Sequence, residues 1–318
     1  MKEALFVKRN AEKWKHYEQN QAVSTDELAK KFVELTDDLA FSKTFYPKSA
    51  TTKYLNGLTS SFHQSIYKNK KEKKSRFITF WTQELPLIFY QERRQILYAF
   101  IFFMIAVVIG AASAKYNEDF VRLIMGDAYV NMTNENIAKG DPFAVYKQSG
   151  EVIMFLQIAF NNIRVSFLAF IFGIFCSLGT VTLLFRNGIM LGTFQYFFYS
   201  KNLGLASLLV IWLHGTIEIT SIVIAGAAGL VLGNSILFPG TLPRKTAIFM
   251  AAKNGIKIVI GLVPLFLLAA FIESFFTRYT QMPTFLSAAV LILSFAFVVW
   301  YFIIYPQIIN RKQINGTT

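Results

Sequence analysis

The chain has 318 residues, 54% hydrophobic and 16% charged, with a mean hydropathy of +0.41 and a formal net charge of +13. Soluble domains carry roughly 25% charged residues, so the composition argues against a soluble enzyme and for a membrane protein. The basic excess then reads as Lys and Arg gathered on the cytoplasmic side and facing anionic lipid, not as a nucleic-acid surface. One cysteine, Cys176, leaves neither an intramolecular disulfide nor a cysteine-based metal site.

Residues 1–94 read as a hydrophilic, cytoplasmic helical domain. The opening MKEALFVKRN lacks the apolar stretch of a secretory signal, so topology is expected to come from internal segments. Phe6, Trp14 and Tyr17 suggest a first helix. In STDELAKKFVELTDDLAF, Ser24 and Glu27 have capping-box spacing, and Leu28, Phe32, Leu35 and Leu39 recur on one helix face. Beyond Pro47, Tyr54, Leu58, Phe62, Ile66 and Tyr67 resume the pattern. The charge run Lys68–Arg76 is expected at the cytoplasmic surface, followed by an interfacial helix at 77–90 built around Trp81.

An all-α polytopic membrane domain is expected over 95–310, with five to six spans, some short or re-entrant. The spans are placed at about 95–113, 165–185, 188–200 (short), 216–237, 258–273 and 284–305. Residues 115–151 form an external polar loop, and Asn161 and Asn162 interrupt an apolar stretch leading in from it. Arg164 and Arg186 bracket the second span at opposite membrane faces. Glycine-interrupted pieces around Lys201 read as broken helices, which occur at membrane depth only where protein or water shields their backbone. Arg244, Lys245, Lys253, Lys257, Arg311 and Lys312 return to the cytoplasmic side. Pro264 is expected to kink the fifth span and free a carbonyl.

The candidate polar site is His214, Glu218, Asn161, Asn162, Arg164, Arg186, Asn187 and Glu273. His214 and Glu218 share a helix face, and ionisable groups within a membrane are functional candidates. Below them Ser221, Ala225, Gly229 and Gly233 step by four, a groove for close helix packing. That groove suits either a neighbouring helix of the same chain or a second copy in a homodimer. His214 and Glu218 are only two ligands and no His-Glu-x-x-His motif occurs, so no metal and no cofactor are expected. No catalytic residue is assigned, and enzyme activity is not expected.

The segments FVKRNAEKWKHYE, YLNGLTSSFHQSIY, NNIRVSFLAF, FRNGIMLG, HGTIEITSIVIAGAAGLVLG and GLVPLFLLAAFIESFFTR resemble the stage II sporulation protein M family of prokaryotic membrane proteins. That resemblance implies a polytopic cytoplasmic-membrane protein with its N-terminus in the cytoplasm. It also implies a scaffold or assembly role in a cell-envelope complex, with other membrane proteins and an ATPase as partners. The chain departs from the short sporulation form by its N-terminal helical domain and first span, so engulfment is not carried over. The alternatives are a transporter or channel with its polar site at His214 and Glu218, and, third, a membrane-embedded hydrolase.

Overall fold

The computed structural model describes residues 2–19, 25–68, 75–147, 150–278 and 282–316. The chain is 89% helical, and no strand occurs among the described residues. The expected Ser24 cap, the side chains of Ile66 and Tyr67, and residues 69–74 of the charge run lie outside them.

The chain divides into two compact units, Met1–Ile78 and Thr79–Thr318. The first contains α1 (Glu3–Gln19), α2 (Thr25–Phe45) and α3 (Ala50–Lys68). Of the set the periodicity selects, Phe6, Trp14, Leu28, Leu35, Leu39, Leu58 and Phe62 are buried together with Phe32 and Tyr17 against them, while Leu55 is buried in place of the expected Tyr54, which is exposed. Polar tips reach out of this core to acids. The Trp14 indole donates to Asp38 at 2.8 Å and the Tyr17 hydroxyl to Glu34 at 2.5 Å. Burial, reinforced by Glu34 and Asp38, pushes the Tyr17 hydroxyl up to about 12.

The unit boundary falls at 78, not at 94. The stretch expected to lie at the interface runs from α4 (Ser75–Thr79) through a π-turn, Phe80–Glu84, into α5 (Leu85–Gln91). Leu85, Ile88 and Phe89 are buried in the core of the second unit. Its backbone is tied there as well. Trp81 donates to the Gly261 carbonyl at 3.2 Å, while the Tyr301 and Tyr305 hydroxyls donate to the carbonyls of Trp81 and Thr82 at 2.9 Å. Gly261 is one residue from the carbonyl that Pro264 deprives of its helical donor.

The second unit continues with α6 (Arg93–Tyr116), α7 (Glu118–Met125), α8 (Asp127–Ala138), α9 (Glu151–Ile171), α10 (Leu178–Ser200), α11 (Gly204–Leu237), α12 (Arg244–Phe271), α13 (Thr284–Val299) and α14 (Tyr305–Ile314). Among the described residues, five helical segments are long and apolar enough to cross a membrane: 93–116, 151–174, 204–237, 244–277 and 284–314. α10 has 23 residues, about 34 Å at 1.5 Å per residue, but carries Arg186, Asn187 and Gln195. α11 is the centre. It touches α6, α9, α10, α12 and α13, and 61% of its apolar window is buried against 22% for α6 and 17% for the last segment.

Three expected boundaries are corrected. The span placed at 165–185 does not exist, because a 3-10 turn, Phe172–Ile174, followed by left-handed Cys176 and Ser177, separates α9 from α10. Arg164 and Arg186 therefore sit within two different helices instead of capping one. The short span at 188–200 is the second half of α10. The broken-helix reading around Lys201 gives way to a tight turn with Asn202 at φ 60°, and α11 then runs unbroken for 34 residues. The 115–151 region is folded too: Val121, Val130 and Phe143 pack with Phe197, Phe198 and Ile211.

The Ser221–Gly233 groove is filled by the chain itself. A Cβ at Gly229 would come 2.2 Å from the Ala169 carbonyl oxygen, and one at Gly233 2.1 Å from Ser177 Oγ and 2.3 Å from its backbone nitrogen. Thr180 closes the α9–α10 corner by donating to the Ala169 carbonyl at 2.7 Å.

Three outcomes are expected. Gly233→Ala should lower stability by about 1–3 kcal/mol or prevent folding, since overpacking here meets backbone, whereas Gly215→Ala, with nothing within 4 Å, should be tolerated; thermal unfolding in detergent compares them. Residues 1–78 expressed alone should fold cooperatively, with Leu35→Ala costing about 2–5 kcal/mol. Because the folded pKa of Tyr17 is raised, the stability it contributes is present below pH 10 and lost as pH rises towards 12; Tyr17→Phe should flatten that decline in a pH series of denaturant melts.

Candidate functional site

α11 presents His214 and Glu218 one turn apart towards the end of α12. Past Phe271 the helix widens into a π-turn, Ile272–Thr277. Such turns are rare and concentrate at functional sites. This one directs both Glu273 and Thr277 at the same imidazole. Thr277 Oγ1 lies 3.0 Å from His214 Nδ1, and Glu273 Oε2 lies 3.8 Å from Nε2. One donor atom from each of His214, Glu218 and Glu273 can be chosen so that all lie within 4.8 Å of one another. Sequence spacing offered two such groups; the fold supplies the third.

The surroundings enclose this cluster. His214 and Asn162 are each only 4% exposed. Asn162, from α9, brings its side-chain amide to the Glu218 carboxyl, but its nitrogen makes no completed hydrogen bond. Tyr146, from a 3-10 turn at Ala144–Lys147, sets its ring edge-on to His214 at 6.1 Å. Burial first, then the negative charge of Glu273, Tyr129 and Glu218, raises the Tyr146 hydroxyl well above its ordinary range. The residues next to Tyr146 and Thr277 in sequence, Lys147 and Arg278, line an open surface pocket of about 620 Å³ with Gly150 and Glu151. Arg278 pairs with Glu151 at 3.5 Å and donates to the Lys147 carbonyl at 3.2 Å. Lys147 pairs with Asp141 at 2.6 Å.

Of the expected site residues, His214, Glu218, Glu273 and Asn162 come together. Asn161, Arg164 and Arg186 are exposed, and Asn187 spends its amide on the Leu183 carbonyl within its own helix at 2.8 Å. A pair between Glu273 and Arg164 does not form, because Glu273 turns to His214. Thr277 and Tyr146 were missed. Thr277 stands four residues after Glu273, the same spacing as His214 to Glu218, and that repeat was the available signal. Nothing in the sequence near Tyr146 announces it, since a loop 68 residues from His214 delivers it.

Ser221 and Ala225 are fully buried below the cluster, followed by the Gly229 and Gly233 contacts. The polar centre thus sits on a stretch of α11 packed backbone to backbone.

Comparison with known families finds that the one described as Stage II sporulation protein M matches residues 99–278, more than half of the chain. A family described as Domain of unknown function (DUF8413) matches residues 4–68, the extent of the three-helix unit. No curated protein and no solved structure matches.

Thr277→Val should cost about 1–3 kcal/mol by leaving the buried Nδ1 without a partner. His214→Ala and Glu273→Gln should be non-additive by about 0.5–3 kcal/mol as contacting residues. Additive losses in a double-mutant cycle of detergent melts would mean the two side chains do not interact.

Proposed function

This chain belongs to the stage II sporulation protein M family and is a membrane protein, and from that premise we propose that it is an integral assembly component of a cell-envelope complex. The observation that carries the reading is a polar stripe on α9. Gln157, Asn161 and Arg164 follow at i, i+4 and i+7 and are all exposed, so they share one outward face. Arg164 stands 13 residues from Glu151, about 20 Å along a segment of about 36 Å, which is near mid-span. A charge at that depth costs at least about 2.5–3.5 kcal/mol. Among the described residues no ion pair neutralises it. A neighbouring membrane protein that lays a carboxylate or amide against the stripe removes that cost.

Further support comes from α11. Below the polar cluster its small residues are closed by α9 and the Phe172–Ser177 turn, which leaves a packed anchor in place of a path for solute. Taking α10 as a sixth crossing returns every basic cluster to one side, with both termini in the cytoplasm of a cytoplasmic-membrane protein. The first unit then hangs in the cytoplasm as the natural docking module for a soluble partner, an ATPase among the classes that fit. The transport reading draws on His214, Glu218 and Glu273 beside an open pocket, and the same experiment separates the two.

Arg164→Leu is expected to insert, fold and melt like the parent but to lose its membrane partner in crosslinking and co-purification from native membranes. Removal of residues 1–78 should spare insertion and lose the cytoplasmic partner. Proteoliposomes of the full chain should show no ion flux above empty vesicles; flux abolished by Glu218→Gln would overturn the assembly reading in favour of transport.

A further inference from the structure

We propose that His214, Glu218 and Glu273, completed by Asn162, bind one divalent transition-metal ion of the zinc class.

The tautomer is the first argument. The Thr277 hydroxyl can place its proton on the Ile272 carbonyl at 3.4 Å, and in the tautomer we assign its oxygen accepts from His214 Nδ1 at 3.0 Å. The ring proton then sits on Nδ1, and the lone pair of Nε2 points towards Glu273 Oε2, 3.8 Å away. Two lone-pair-bearing atoms oppose each other at a separation beyond hydrogen-bond length. Both are drawn inward by a cation between them. A metal-bound histidine is ordinarily held in this way, its other nitrogen donating to a fixed acceptor.

Charge is the second. Among the described residues, no lysine or arginine pairs with either carboxyl, and the one basic neighbour, His214, is neutral in this tautomer. The nearby cations are committed elsewhere, Arg278 to Glu151 and Lys147 to Asp141. Two half-buried carboxylates in one site repel each other unless a proton or a cation is shared between them. A divalent ion cancels both charges.

Asn162 supplies an independent observation. Three buried side-chain polar atoms lack a hydrogen-bond partner among the described residues. Of these, Asn162 Nδ2 adjoins Glu218, and Ser274 Oγ sits beside Glu273 in sequence. Turning the Asn162 amide by half a rotation about its last bond presents Oδ1 where the idle nitrogen now lies. That gives one imidazole nitrogen and three oxygens.

Geometry and class follow from the donors. The three ionisable donors lie within 4.8 Å of one another; a tetrahedral ion with bonds of about 2.1 Å holds its ligands about 3.4 Å apart. The His214–Glu273 separation is already close to this, and rotation of the glutamate side chains closes the remainder. An imidazole in the set disfavours magnesium and calcium, which take oxygen ligands. The absence of thiolate or thioether in the set disfavours copper(I).

The proposal is independent of the assembly reading. Full-length protein in nanodiscs is stripped with chelator, loaded with Zn²⁺ alone, desalted and measured for metal by mass spectrometry. The parent should retain about one Zn²⁺ per chain, and its thermal midpoint should rise with Zn²⁺ but not with equimolar Mg²⁺. Glu273→Gln and His214→Gln should retain less than a tenth of that metal. Thr277→Val should weaken affinity about 10–100-fold while still saturating, and Arg164→Gln should bind like the parent. Should the variants misfold, Co²⁺ absorption and X-ray absorption of the parent read the ligand set directly, with one imidazole and oxygen neighbours expected. No retained metal and no Zn²⁺-dependent shift in the parent overturns the proposal. Metal retained by folded His214→Gln and Glu273→Gln, or a ligand set without imidazole, overturns it as well.

Discussion

The second unit depends on one close contact, where the Phe172–Ser177 turn meets the glycine face of α11. Gly173 and Gly229 approach so tightly that a Cβ on Gly173 would lie 2.1 Å from the Gly229 carbonyl oxygen. In lipid, apolar side chains gain little by leaving the tails, so association rests on van der Waals contact between backbones that small residues let approach. The same device recurs between α6 and α10. A Cβ at Gly192 would stand 2.0 Å from the Val107 carbonyl oxygen, and one at Gly110 2.3 Å from that of Ile189. Those contacts leave the other face of α6, with Leu97, Ile101, Ile105 and Val108, turned outward, as a lipid-facing surface requires.

The contact also fixes where the polar groups go. α9 and α11 run in the same direction, since Asn162 meets Glu218, Ala169 meets Gly229, and Gly173 and Ser177 meet Gly233. Locking the register at Gly229 and Gly233 therefore brings Asn162 of α9 to Glu218. The π-turn at Ile272–Thr277 performs the matching adjustment on α12, bringing a carboxylate and a hydroxyl to the two nitrogens of one imidazole. The stiff, apolar half of α11 is what positions its ionisable half.

Much of this was legible in sequence where periodicity alone decides the outcome. The Leu28–Leu39 face, the three-helix unit and the small-residue ladder on α11 all appear in the fold. The turn at 172–177 was hidden, because Phe172, Ile174, Phe175 and Cys176 look like the middle of a span and no proline or polar cluster marks a corner. Left-handed Ser177 is held by packing against Gly233, a residue 56 positions away. The 79–91 segment misled for the related reason that its aromatic residues suit an interface and a bundle core equally. Only Gly261, which makes room for Leu85, decides between them. The site was half legible: His214 and Glu218 announce each other by spacing, whereas Glu273 joins them through the antiparallel return of α12.

Moving the corner to 172–177 changes the meaning of two arginines. Bracketing a single span, Arg164 and Arg186 would be ordinary anchors whose side chains reach the headgroups at little cost. Within α9 and α10 they stand about 15 Å and about 12 Å from the shared corner, and both are exposed. Long side chains can bend towards an interface, but Gln157 and Asn161 are exposed on the face that carries Arg164 and are too short to do so. A helix meant only for lipid would gain by replacing all three with leucine. The cluster around His214 is walled off from that face by α9 itself, with Asn162 buried and Asn161 exposed. The two polar systems of this bundle are therefore separate, one turned to the interior and one exposed on the outer face of α9.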